Sequence, residues 1–132
     1  MNLDLRRSFD VDNEALSALH ASTFGGVSEP RDWRSQLQRH SLGWVGAFVG
    51  EQLVGFVNLA WDGGAHAFVL DTAVAPSHQR RGIGSRLVHE AADLAADAGC
   101  EWLHADYEPH LAHFYLKACG MRRTEAGLLE LK

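Results

Sequence analysis

Cysteine, long apolar runs and positive charge are all scarce in this sequence. Its 132 residues include only two cysteines, Cys100 and Cys119, which excludes a disulfide framework of the secreted type. No apolar run approaches the length that spans a membrane, and the first residues contain no apolar signal-peptide core. We therefore expect a reduced, cytoplasmic protein without a membrane partner.

The deficit of positive charge limits the classes of ligand. The net charge of −5 repels a polyanion from the average surface, so we expect no nucleic-acid partner. Three arginines nevertheless cluster in the short segment 80–86. This local concentration of cations predicts a site for a small anionic ligand.

Apolar periodicity predicts one domain, residues 1–132, of the α/β (α+β) class. We expect a mixed, mostly antiparallel twisted sheet of about six to seven strands, flanked by about four helices. The predicted strands are 3–6, 44–49, 53–61, 66–74, 102–107, 122–124 and 128–131. The predicted helices lie between Asp12 and Gly25, from near Pro30 to His40, at 83–98 and at 110–118.

The junction between strand 66–74 and helix 83–98 has the composition of an anion site. Gly82 and Gly84 carry no Cβ, so the backbone there can bend sharply and approach a ligand closely. The first amides of a helix have no intrahelical partner and lie at the positive end of the helix dipole. A phosphate or pyrophosphate can accept hydrogen bonds from several of them at once.

Two motifs in this frame resemble those of the GNAT superfamily of acyl-CoA-dependent N-acetyltransferases. The first is Val74-Ala75-Pro76 followed by Gln79-Arg80-Arg81-Gly82-Ile83-Gly84, before an amphipathic helix. The second is Phe114-Tyr115-Leu116-Lys117-Ala118-Cys119-Gly120-Met121, with one residue more between Tyr115 and Gly120 than in the family pattern. The predicted order of elements matches the family over nearly the whole chain, so the resemblance implies a GNAT-like domain.

The resemblance implies acetyl-CoA as cosubstrate, with no metal, and a role for each matching residue. The backbone of Thr72, Ala73 and Val74 would pair with the pantetheine arm, and Tyr115 would protonate the leaving thiolate as general acid. An amine would attack the acetyl carbonyl directly. The residues implied to bind the pyrophosphate end are Gln79, Arg80, Arg81, Gly82, Ile83, Gly84, Ser85 and Arg86.

The residue that contacts or deprotonates the amine stays open between Asp71 and Glu108. Asp106, His66 and His104 are alternatives, and Trp61 is a candidate lining residue of an acceptor pocket. His110 and His113 stand one helical turn apart, but no third ligand has a zinc-like spacing, so we predict no metal site. The segments 24–40 and 61–66 and the tail after Met121 are candidates for forming the acceptor pocket.

Three functions are compatible with these features. The first is an N-acetyltransferase that acts on a primary amine, of a small molecule in preference to a peptide. The second is a non-catalytic acyl-CoA-binding sensor on the same fold. The third is a nucleotide-binding protein, which is disfavoured because neither a P-loop lysine nor a Rossmann glycine motif is present. Open sheet edges also allow a homodimer.

Overall fold

In the part of the chain that the structure describes, five strands form one sheet, in the order in which they occur along the chain. The strands are β1 (Leu3–Arg7), β2 (Ser41–Val49), β3 (Gln52–Trp61), β4 (His66–Val74) and β5 (Trp102–His104). β1 to β4 are antiparallel neighbours, and β5 is parallel to β4. This computed structural model describes residues 2–26 and 29–132. It confirms the mixed, mostly antiparallel α+β fold.

Among the described residues, three α-helices, a 3₁₀ turn at Pro76–His78 and a further irregular helical segment accompany the sheet. The α-helices are α1 (Asn13–Phe24), α2 (Trp33–His40) and α3 (Ile83–Asp97). The carboxylate of Asp12 accepts hydrogen bonds from the amides at the start of α1, and Asp32 does the same for α2. The irregular segment contains a 3₁₀ turn at Pro109–Leu111 and a π-helical turn at Phe114–Ala118. It lies beside the cleft described below.

The sheet is covered on both faces, and the described residues form two core clusters. Leu87, Val88 and Ala91 of α3 pack with Val57 and Leu59 of β3 on one face. On the other face, residues of α1 and α2 pack against Phe56 and Ala73. The members of this second cluster are Val11, Leu16, Leu19, Trp33, Leu37, Phe56 and Ala73. Because α3 crosses from β4 back to β5, its first turn lies at the end of β4.

The predicted final hairpin, with strands at 122–124 and 128–131, is wrong, so the sheet has fewer strands than expected. Residues 119–132 contain no strand, and Leu128, Leu129 and Leu131 are 84–88% exposed. A two-stranded hairpin is marginal in water unless one face packs on other elements. Here no core residue receives these leucines. The predicted strand at 102–107 is also shorter, ending at His104.

The difference between a core leucine and a tail leucine is testable. Leu87 is fully buried between α3 and the sheet, whereas Leu128 is 87% exposed. Leu87→Ala should lower the free energy of unfolding by about 2–5 kcal/mol. The matched variant Leu128→Ala should change it by less than about 0.5 kcal/mol. Urea denaturation measures both, and equal losses in the two variants would contradict the described packing.

Candidate functional site

A cleft of about 630 Å³ lies at the first turn of α3. Its walls come from the end of α1, the end of β4, the loop before α3 and the segment 108–118. Most of the site residues predicted from the sequence line this cleft. They are Thr72, Val74, Gln79, Arg80, Gly82, Ile83, Gly84, Ser85, Glu108 and Tyr115. The fold therefore brings most of the predicted positions together.

Four predicted residues do not line this cleft. The side chain of Ala73 is buried in the core beneath α1 and α2. Arg81 and Arg86 are exposed outside the cleft walls. Asp71 is displaced toward α1, where its carboxylate contacts His20. A role for Ala73 in binding would have to come from its backbone.

The loop before α3 has the backbone of an anion site. Gly82 is the residue that precedes the helix, with φ +77°, and Arg80 has φ +63°. No side chain in the described chain caps the start of α3, so its first amides are available to a ligand. A Cβ on Gly84 would lie 3.0 Å from the ring of Phe114. Gly82 thus provides the left-handed turn, while Gly84 allows helix and cleft wall to approach closely.

β4 has an open edge beside this loop. Its pairing with β5 ends at Phe68 and His104, although β4 continues to Val74. The register therefore leaves the last residues of β4 paired only with β3. The side-chain amide of Gln79 donates to the carbonyl of Val74, at 3.1 Å. An extended ligand can add to such an edge by main-chain hydrogen bonds.

A β-bulge interrupts β4 within this open edge. Asp71 and Thr72 stand opposite the single residue Val57, because Phe56 pairs with Ala73 and Asn58 pairs with Leu70. Asp71 has φ +59°, a conformation that non-glycine residues seldom adopt. Its carboxylate lies 3.1 Å from Nε2 of His20 and accepts from Nδ2 of Asn58 at 3.4 Å.

Tyr115 is buried and lines the cleft. Its hydroxyl donates to Oγ1 of Thr72 at 3.5 Å, and its ring stacks on Tyr107 with centroids 5.0 Å apart. Burial raises the pKa of the Tyr115 phenol above its ordinary value, and the bond to Thr72 opposes this shift. The phenol is consequently in its neutral, proton-donating form at neutral pH.

The additional residue between Tyr115 and Gly120 is accommodated by the π-helical turn. The amide of Cys119 bonds to the carbonyl of Phe114, five residues earlier, at 3.0 Å. A π turn holds one residue more than an α turn, so an insertion need not rotate the rest of the helix. Tyr115 remains in the cleft wall despite the altered spacing.

The other candidate polar residues divide between the cleft and its surroundings. Glu108 lines the cleft, while Asp106 is exposed outside it. Nδ1 of His66 lies 2.7 Å from Nε2 of His104, and these two rings contact each other rather than the cleft. Trp61 lines neither the cleft nor the smaller cavity described next.

A smaller cavity of about 250 Å³ lies beside α1 and contains a residue that sequence reasoning missed. His20 lines it, together with Glu29, Arg31 and Trp33. Several residues of the predicted acceptor segment 24–40 thus line a cavity. Residues 27 and 28 of this segment lie outside the described residues. His20 is partly buried on α1, and the helical spacing of the sequence gives no sign of its partner. Its contact with Asp71, 51 residues away, depends on the bulge.

Two side-chain classes give no sign of further chemistry. Within residues 2–26 and 29–132, no group of three or more metal-binding side chains converges. Burial raises the pKa of the Cys119 thiol to about 11, so the thiol is protonated at neutral pH and is a poor nucleophile.

Among the described helices, none is both long enough and apolar enough to cross a membrane.

Most of the sequence matches a family model. The Acetyltransferase (GNAT) family matches residues 13–121, which include both motifs and every wall of the cleft. The chain belongs to this family.

Individual proteins are also similar to this GNAT domain in sequence or in structure. A mycothiol acetyltransferase from Brachybacterium faecium is 37% identical over 82 residues. The match covers 62% of this chain but only 20% of that relative's length. A GNAT family acetyltransferase from Streptococcus pneumoniae TIGR4 superposes with a TM-score of 0.78, at 25% identity, over 99% of this chain and 100% of that one.

An aminoglycoside N-acetyltransferase, AAC(6')-Iy, was solved in complex with CoA and has the same fold. It superposes with a TM-score of 0.80, at 18% identity, over 99% of this chain and 95% of that one.

The buried environment of Tyr115 predicts a late ionisation. The chain has two tyrosines, so the phenolate absorbance of the wild type minus that of Tyr115→Phe isolates this residue. Its ionisation should occur at higher pH than that of tyrosine in the urea-unfolded chain, because burial disfavours the phenolate. The associated stabilisation is present below the ordinary tyrosine pKa and is lost as pH rises through the folded value. Ionisation at or below the unfolded value would refute this environment.

Proposed function

We propose that this GNAT domain transfers an acetyl group from acetyl-CoA to a primary amine of a small molecule, by direct attack. One observation carries the proposal. The uncapped first turn of α3, the open edge of β4 and the hydroxyl of Tyr115 border one cleft. The arrangement matches a ligand with a pyrophosphate, an extended arm and a reactive thioester in succession.

The anionic end of CoA would lie at the start of α3. The amides of residues 82–85 would donate to the pyrophosphate, and Arg80 in the cleft wall would add a cation. Gln79, Arg81 and Arg86 would contribute at the rim. The pantetheine arm would add to the open edge of β4 through the backbone of Thr72, Ala73 and Val74.

The acetyl group would then lie near the bulge. A backbone amide at residues 72–74 would stabilise negative charge on the carbonyl oxygen as the amine attacks. Tyr115 would give its proton to the departing sulfur, because a neutral buried phenol is a suitable acid for a thiolate. Glu108, which lines the cleft, and Asp71, which precedes Thr72 and is bonded to His20, would be the carboxylates closest in sequence to the reacting end of this site.

The choice of an amine acceptor is supported by the names of structural relatives. These include the aminoglycoside N-acetyltransferase and a glucosamine-6-phosphate N-acetyltransferase from Arabidopsis thaliana, which share the fold at 18% and 14% identity. The cavity beside α1, with a volume of about 250 Å³, has room for a small amine. A panel should therefore contain an aminoglycoside, glucosamine 6-phosphate, an aromatic ethylamine, a polyamine and a short peptide.

Cofactor binding is tested by calorimetry with acetyl-CoA. The wild type should bind it, and neither ATP nor NAD should displace it. Arg80→Ala should raise the dissociation constant about tenfold, the loss of about 1.4 kcal/mol expected for a charged contact. Arg39→Ala, on an exposed position of α2, is the matched control. Absence of acetyl-CoA binding by the wild type would overturn the proposed function.

Catalysis is tested by thiol release from acetyl-CoA with the amine panel. Tyr115→Phe should lower kcat about 10²-fold without weakening CoA binding, because only the proton donor is removed. Tyr107→Phe keeps the ring that stacks on Tyr115 and should retain activity. If the wild type binds acetyl-CoA but releases thiol with no amine of the panel, the acyl-CoA sensor becomes the better account.

A further inference from the structure

His20 and Asp71 form a bonded pair between the two cavities. His20 lines the smaller cavity, and its ring lies against Phe24, a wall of the CoA cleft, with centroids 4.5 Å apart. Asp71 precedes Thr72, whose hydroxyl accepts from Tyr115. The pair therefore adjoins the reacting end of the proposed CoA site from the side of the smaller cavity.

The pair is held in place from several directions. Asn58, which is buried, donates to the second oxygen of Asp71 and accepts from Ser41 at 2.6 Å. Trp33 packs beside the His20 ring, with centroids 4.9 Å apart. Asp71 also keeps its positive φ, a backbone state that is strained in a non-glycine residue and recurs at functional sites.

The geometry determines which ring nitrogen is available for chemistry. Nε2 of His20 faces the carboxylate of Asp71 at 3.1 Å, so Nε2 carries the hydrogen and donates it. The neutral ring then has its lone pair on Nδ1. Within residues 2–26 and 29–132, Nδ1 of His20 makes no hydrogen bond. A carboxylate that orients an imidazole in this way also stabilises the imidazolium that forms when the ring accepts a proton.

We propose that His20 is the general base of the transfer reaction, with Asp71 as its positioning residue, and that the smaller cavity receives the acceptor amine. This inference rests on the proposed function and assigns one of the roles that it leaves open. Asp71 then acts on the amine through His20 rather than directly.

The proton balance of the step is complete without further reagents. Nδ1 of His20 takes one proton from the ammonium group, and the neutral amine attacks the acetyl carbonyl carbon. The C–N bond forms and the C–S bond breaks, while Tyr115 gives its proton to the sulfur. The nitrogen releases a second proton, which restores Tyr115, and His20 passes its own proton to water. The products are the amide, the CoA thiol and one proton in solution.

Three charged groups lie around His20. The carboxylate of Asp71 faces it from β4, and Glu29 and Arg31 share the walls of the smaller cavity. The guanidinium of Arg31 lies over the Trp33 ring at 4.0 Å from its centroid. Asp71 is the only one of them bonded to His20 among the described residues.

The test compares His20→Gln with Asp71→Asn and with His89→Gln, a control on an exposed position of α3. Asparagine tolerates the left-handed backbone of residue 71, so Asp71→Asn removes the charge without adding strain. For each variant, calorimetry measures acetyl-CoA binding, and thiol release with the best amine of the panel measures kcat/KM from mildly acidic to alkaline pH. The calorimetric measurement establishes that the variant is folded.

His20→Gln should lose about 10²–10³-fold in kcat/KM at neutral pH and retain acetyl-CoA binding. Its rate should continue to rise at alkaline pH, where the amine loses its proton in solution. Asp71→Asn should show a smaller loss of the same kind, and His89→Gln none. A His20→Gln variant with the wild-type rate and pH profile would overturn this inference alone. Absence of wild-type turnover would overturn the proposed function and this inference together.

Discussion

The β-bulge of β4 is the constraint on which the candidate site depends. Two residues, Asp71 and Thr72, stand opposite one residue of β3, so the alternation of side chains changes phase at that point. Asp71 thereby reaches His20 on α1, while Ala73 remains in the core beneath the same helices. In a regular strand, alternate side chains point to the same face of the sheet, so the side chains of Asp71 and Ala73 would face α3, as that of Val69 does.

The same part of the sheet explains why the cleft opens there. β5 pairs with β4 for three residues only, so the end of β4 keeps an unpaired edge next to the first turn of α3. Gly82 turns the chain into that helix, and Gly84 allows the Phe114 ring to approach within van der Waals contact. A backbone-lined groove and an unpaired set of helix amides therefore adjoin each other. Both features present main-chain groups, rather than side chains, to a ligand.

The sequence predicts the parts that follow from periodicity and from glycine spacing. The helix from Ile83 and the strands on either side of Gly50 have strong patterns, and the structure contains them near the expected bounds. The prediction of a final hairpin was wrong because the leucines of that segment follow a strand pattern but remain exposed, with no surface to pack against. His20 was missed because its contact with Asp71 requires a left-handed residue inside a strand, which no local pattern signals. The spacing after Tyr115 did carry information, since its additional residue corresponds to the π turn.

The central claim, that one cleft holds CoA along both the start of α3 and the edge of β4, is tested most directly by a crystal structure with CoA bound. The account predicts the pyrophosphate within hydrogen-bond distance of the amides of residues 82–85 and the pantetheine arm paired with residues 72–74. It also predicts the CoA sulfur within reach of the Tyr115 hydroxyl. CoA bound elsewhere on the domain, or bound in this cleft with its sulfur directed away from Tyr115, would contradict it.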